Sequence, residues 1–115
     1  MMNQKAQMAV CLKYGAPFIP PTLDSVVGVS VNVTQPNLWP LNGLRHPPEG
    51  RTCGWYIWRG ENFSNDAAFF KPVKLLELLP KVADLDRYLA LAPGWRFLFA
   101  PGSEDVWSDQ GLLDV

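Results

Sequence analysis

Alternating hydrophobic and polar positions predict the strands of a small sheet. From residue 26 to 33 valines recur at every second position, which is the period of a half-buried strand. The run Gly54–Gly60 carries apolar side chains at both odd and even positions, so we expect a central strand there. Residues 95–99 alternate aromatic side chains with others, and a Pro-Gly turn then leads into a short strand around Val106.

Leucine spacing and helix breakers complete the predicted fold. Leucines three and four residues apart predict a short helix over Val73–Leu79, and Pro80 begins a second one. Residues 34–53 contain four prolines and two glycines, which predict a long proline-rich loop, either functional or structural. We therefore predict an α+β fold, a small antiparallel sheet with two short helices packed on one side.

Length, composition and charge narrow the class of protein. A chain of 115 residues with 48% hydrophobic content fits a single domain, 1–115. Within it we expect an irregular leader over 1–25, broken by prolines, and a sheet-and-helix body over 26–115. The net charge of -1 provides no electropositive field for nucleic acid. No apolar run approaches the roughly 20 residues of a membrane span, so we expect no membrane insertion and a cytoplasmic location.

The sequence carries no recognisable catalytic or cofactor-binding motif. Its single histidine, His46, has no nucleophile and orienting acid at a known spacing. Two distant cysteines and one histidine do not make a zinc set, and the C-terminal acidic residues lack the spacing of a calcium loop. Glycine-rich phosphate-binding motifs are absent from the chain. We expect a binding protein that is not an enzyme and needs no metal or cofactor.

Three short motifs follow one another in the second half of the chain. They are Gly54-Trp55-Tyr56-Ile57-Trp58-Arg59-Gly60-Glu61, Pro93-Gly94-Trp95-Arg96-Phe97 and Glu104-Asp105-Val106-Trp107-Ser108-Asp109. In this order they resemble the bacterial immunity protein 33 domain family, over roughly residues 50–115. The resemblance implies an immunity protein that protects a toxin-producing bacterium by binding the cognate toxin and blocking it inside the cell.

The acidic C-terminal segment is the expected partner-binding surface. A toxin with a basic surface would be attracted to it and would associate quickly. The predicted contact residues are Glu104, Asp105, Trp107 and Asp109, with Trp39 and Arg45 added from the long loop. Arg59 and Arg96 are expected to pair with the acidic segment itself.

Two alternatives remain open at this point. A small-ligand or carbohydrate-binding module, or a divergent enzyme, would gather aromatic residues around an apolar pocket. Its lining would come from Trp39, His46, Trp58 and Trp107. Exposed aromatic residues would instead favour self-association, and a homodimer is compatible with toxin binding.

Overall fold

The computed structural model describes residues 2–61 and 69–114, and in them six strands form one sheet. The strands are β1 (Val26–Ser30), β2 (Leu41–Arg45), β3 (Thr52–Arg59), β4 (Phe70–Lys74), β5 (Trp95–Ala100) and β6 (Ser103–Ser108). Their order across the sheet is β4-β1-β3-β2-β5-β6. The helices are α1 (Gln4–Tyr14) and α2 (Leu75–Leu78), and 3-10 turns cover Leu79–Lys81, Asp86–Tyr88 and Gln110–Leu113.

The predicted α+β class is confirmed, with one change in strand direction. Strands β1, β3, β5 and β6 lie where alternation placed them. Neighbouring strands run antiparallel except β1 and β3, which are parallel, so the sheet is mixed rather than wholly antiparallel. The helix predicted over Val73–Leu79 begins only at Leu75, because Val73 and Lys74 end strand β4, which was not predicted. The helical region is divided into α2 and two 3-10 turns.

The predicted irregular leader is wrong over residues 4–14, which form α1. The side chain of Asn3 accepts a hydrogen bond from the Ala6 amide and caps the helix, and Gly15 ends it in the left-handed conformation. Sequence periodicity missed this helix because one of its three buried side chains is the polar Gln7. The Gln7 amide donates to the backbone oxygen and to the carboxylate of Asp86, each at 3.0 Å.

The predicted loop over 34–53 is wrong at its centre, where β2 lies between β3 and β5. Pro40 comes just before the first strand residue, so its missing N–H does not interrupt the strand. Gly43 allows the Phe97 ring to cross the strand, since an added Cβ would lie 2.1 Å from that ring. A glycine that suggested a loop is therefore a packing requirement of a central strand.

Helices α1 and α2 and the 3-10 turns Leu79–Lys81 and Asp86–Tyr88 cover one face of the sheet and bury the main core against it, whereas Leu112 of the last 3-10 turn packs on the other face. Trp55 lies at the centre of this core, and its indole N–H donates to the Leu89 carbonyl at 3.0 Å. The rings of Tyr88 and Phe97 stack at 4.3 Å. A smaller apolar cluster occupies the other face, around Trp58. None of the helices in the described part of the chain is long and apolar enough to cross a membrane.

Candidate partner-binding surface

The acidic segment forms the outer strand of a β-hairpin. Pro101 and Gly102 make the turn between β5 and β6, and Gly102 has a positive φ of 78° that favours glycine. Side chains alternate along β6. Glu104 pairs with Phe99 on the helix-covered face, whereas Trp107 pairs with Arg96 on the opposite face. The hairpin therefore divides the predicted site residues between two faces of the sheet.

Glu104 points inward and joins three elements. Its carboxylate accepts hydrogen bonds from the hydroxyls of Tyr14 and Tyr88, both at 2.5 Å. It also forms an ion pair with the ammonium group of Lys13 at 3.2 Å. Burial alone would raise the pKa of Glu104, but these hydrogen bonds outweigh it and hold the pKa below its ordinary value. Glu104 thus fastens β6 to α1 and to the 3-10 turn Asp86–Tyr88.

The same cluster perturbs its two tyrosines. Burial, followed by the hydrogen bond to Glu104, raises the pKa of Tyr88. The hydrogen bond to Glu104 is the main cause that raises the pKa of Tyr14. Both hydroxyls therefore stay protonated and remain donors to the carboxylate at neutral pH. These hydrogen bonds therefore hold β6 in place on the helix-covered face of the sheet.

Asp105 and Trp107 point outward, away from the helices. Trp107 is 39% exposed, and the guanidinium of Arg96 lies 5.5 Å from its ring centroid. Arg96 also pairs with Asp109 at 3.2 Å, as the sequence predicted. Asp109 in addition accepts a hydrogen bond from the Gly111 amide, which caps the last 3-10 turn. Asp105 is exposed and forms no ion pair within residues 2–61 and 69–114.

Trp39 and Arg45 lie apart from this surface. Trp39 is partly buried, with its ring edge against Phe99 at 5.7 Å and the Arg59 guanidinium 5.0 Å from its centroid. Arg59 donates to backbone carbonyls at residues 33 and 38, so the predicted pairing of Arg59 with the acidic segment is wrong.

Arg45 is only 2% exposed, and its guanidinium is enclosed by backbone. It donates to the carbonyls of Cys53, Ile19 and Leu91 at 2.7 to 2.9 Å, and more weakly to Leu89 at 3.4 Å. Burial lowers the pKa of Arg45, but the ring of carbonyls satisfies its donors. In this conformation Arg45 stabilises the fold and has no surface to offer a partner, so we leave it out of the candidate site.

Without Glu104, Trp39 and Arg45, the candidate site lies on the face of the β5–β6 hairpin that points away from the helices. We call this face the outer hairpin surface. It consists of the outward side chains of β5 and β6 and of Asp109, which follows them: Arg96, Leu98, Asp105, Trp107 and Asp109. It places a half-exposed tryptophan among charged groups, a composition typical of the residues that dominate binding energy in protein interfaces. Sequence reasoning did not include Leu98, although the two-residue Pro-Gly turn fixes its position opposite Asp105.

The aromatic residues proposed for a ligand pocket do not converge. Trp39 packs with the main core, whereas Trp58 belongs to the cluster on the opposite face. His46 lies against Tyr56, and its Nδ1 is 2.9 Å from the Leu112 carbonyl oxygen. Two surface crevices, of about 180 and 300 Å³, are lined by other residues. No group of three or more metal-ligating side chains occurs in the described residues.

Comparison with known proteins adds one finding. A family model described as an Imm33-like domain matches residues 6–109, which includes most of α1 and the whole sheet as well as the motifs near the C-terminus. Neither the curated proteins nor the solved structures contain a match to this chain. The matched range is wider than the segment that carried the sequence resemblance.

Proposed function

Because the chain belongs to the Imm33-like domain family, we propose that it is an immunity protein that binds a cognate bacterial toxin in the cytoplasm and neutralises it without catalysis. Neutralisation of this kind requires affinity and a suitable contact surface. The outer hairpin surface is the observation that carries the proposal. It is the place where an exposed tryptophan, an exposed acid and an arginine meet on one face.

The chemistry of this surface favours a protein partner with a basic patch. Trp107 offers a large, partly exposed apolar ring with the Arg96 guanidinium 5.5 Å from its centroid, which suits an anchor residue at an interface centre. Asp105 has no cation near enough to pair with it among the described residues, so its charge is available to steer a basic partner. The contact residues we propose are Asp105, Trp107 and Asp109, with Arg96 and Leu98.

Capture of the partner tests the proposal. The tagged protein is expressed in cells of its own source, and proteins that co-purify with it are identified by mass spectrometry. Each captured polypeptide is then expressed in a sensitive host with and without this protein. We expect one of them to arrest growth alone and to be harmless when the immunity protein is co-expressed.

In the same assay, Trp107→Ala tests the outer hairpin surface and Leu76→Ala is its matched control. Leu76 is also exposed, at 59%, but lies on α2 beside the opposite edge of the sheet. We expect the Trp107 variant to protect poorly and the Leu76 variant to protect fully. Failure to capture any toxic polypeptide would contradict the proposed function.

A further inference from the structure

Strand β6 ends the sheet, and half of its backbone groups point away from it. Asp109 donates its amide to the Gly94 carbonyl at 2.6 Å, which fixes the phase of hydrogen bonding between β5 and β6. Antiparallel strands alternate bonded and outward pairs, so the N–H and C=O groups of Glu104, Val106 and Ser108 face the free edge. No hydrogen bond to these groups is formed within residues 2–61 and 69–114.

This edge has the features of a strand that accepts another strand. It is six residues long and contains neither proline nor lysine, the residues that commonly block edge pairing. The hydrogen bonds of Glu104 to Tyr14 and Tyr88 hold it in place from behind. An edge that is already ordered loses little entropy when a partner strand pairs with it.

Charge distinguishes between the possible occupants of the edge. Four carboxylates lie between residues 103 and 114, and Lys13 and Arg96 each pair with one of them. Asp105 and Asp114 form no ion pair within the described residues. A second copy of the chain would bring another acidic strand against this one, and like charges across neighbouring strands are unfavourable. A strand with lysine or arginine side chains would be attracted.

We propose that β6 accepts an extended, basic segment of the toxin as an added strand, with backbone hydrogen bonds to Glu104, Val106 and Ser108. Side chains of the added strand that point to the open face would lie beside Asp105 and Trp107, so the same segment would contact the outer hairpin surface. This inference rests on the proposed function and specifies how the toxin is bound.

The test compares Ser108→Pro with Ser108→Ala. Proline removes the outward N–H at an exposed position at the end of β6 and leaves the inward ladder to β5 intact, while alanine removes only the hydroxyl. The probe is the toxic polypeptide captured on the tagged protein, and its affinity for each variant is measured by calorimetry. Circular dichroism and thermal melts confirm that each variant is folded.

Strand addition predicts that Ser108→Pro weakens binding at least tenfold and that Ser108→Ala stays within twofold of the wild type. If Ser108→Pro does not fold, amide exchange in the wild-type complex replaces it, and the amides of Glu104, Val106 and Ser108 should become protected. Wild-type affinity in a folded Ser108→Pro variant would overturn strand addition while leaving the immunity function in place.

Two other outcomes also overturn the inference, and they are distinguishable from the first. A homodimer that Ser108→Pro dissociates, seen by light scattering, would make a second copy the occupant of the edge. Failure to capture any toxic polypeptide would remove the proposed function, and the strand-addition inference with it.

Discussion

The two edges of the sheet are built in opposite ways. At one end, β4 carries Pro72 between Lys71 and Lys74. Leu75 donates its amide to the Ser25 carbonyl at 2.9 Å, and the same alternation then places the missing N–H of Pro72 on the side of β4 that faces away from β1. At the other end, β6 has no proline and no lysine. Each of its three outward residues, Glu104, Val106 and Ser108, therefore has a backbone N–H that can donate to an added strand.

The difference shows which edge is closed to strand addition. Proline and lysine on an edge strand are common protections against pairing with other chains. The β4 edge has both, so pairing there would lack a donor and would bring two cations to the junction. The β6 edge lacks both and is instead acidic, which leaves it open to a partner of opposite charge. We interpret the first edge as closed and the second as the binding edge.

The largest effect is expected from Trp107→Ala. Loss of the exposed anchor should weaken toxin binding by about 2 kcal/mol, roughly 30-fold, because central tryptophans dominate interface energies. The free energy of unfolding should fall by less than about 1 kcal/mol, since the ring is partly solvent-exposed in the free protein. Calorimetric titration with the captured toxin measures the first quantity, and urea unfolding measures the second. An equal loss of affinity in Leu76→Ala would remove the distinction between the edges.

Glu104→Gln tests the support behind the binding edge. Replacing the carboxylate should lower the free energy of unfolding by about 2 kcal/mol at pH 7, because hydrogen bonds to a charged group are lost. The pKa of Glu104 is lowered by folding, so its stabilisation is present above the unfolded pKa of about 4.3 and is lost as the pH falls through the folded pKa.

Urea unfolding of both proteins at pH 7 and pH 3 checks this dependence. The difference in unfolding free energy between wild type and Glu104→Gln should narrow markedly at pH 3. A difference that is the same at both values would mean that the ionised carboxylate does not contribute.

Charge reversal at each edge sharpens the comparison. Asp105→Lys should slow association with the toxin several-fold at low salt, about 1 kcal/mol in affinity, and the effect should shrink as salt screens the charges. Lys71→Glu is the matched reversal on the exposed β4 edge and should leave the association rate unchanged. Stopped-flow measurements at two salt concentrations separate the two. Equal slowing by both variants would point to overall charge rather than to the β6 edge.

The smallest effect on stability is expected from Pro72→Val, which restores an outward N–H to the closed edge. Position 72 is exposed, so the free energy of unfolding should change by no more than about 0.5 kcal/mol. The new donor should allow weak, concentration-dependent self-association through β4, visible by sedimentation velocity. A variant that sediments as the wild type does at every concentration would show that Pro72 is not what closes this edge.

The sequence predicted the strands whose side-chain alternation is visible within a few neighbouring residues. Strands β1, β3, β5 and β6 have clear alternation and bounding turns, and they were predicted correctly. Strand β2 was missed because Gly43 serves the Phe97 ring, a contact 54 residues away in sequence. Helix α1 was missed because Gln7 is buried by a hydrogen bond to Asp86, which no periodicity reveals.

The same limit applies to the candidate site. Alternation in the C-terminal motif separates Glu104 from Asp105 and Trp107, but which of the two faces is covered depends on how α1 packs. Arg45 was predicted to be a contact residue because the sequence placed it in the long loop over 34–53. Its burial requires carbonyls from Ile19, Cys53 and Leu91, which only the folded chain brings together.

Amide hydrogen exchange of the free protein and of its complex with the captured toxin tests the central claim most directly. Binding at the β6 edge predicts strong new protection of the amides of Glu104, Val106 and Ser108, with little change at the outward amide of Lys74 on β4. New protection at β4 with unchanged exchange along β6 would contradict the assignment of the binding edge.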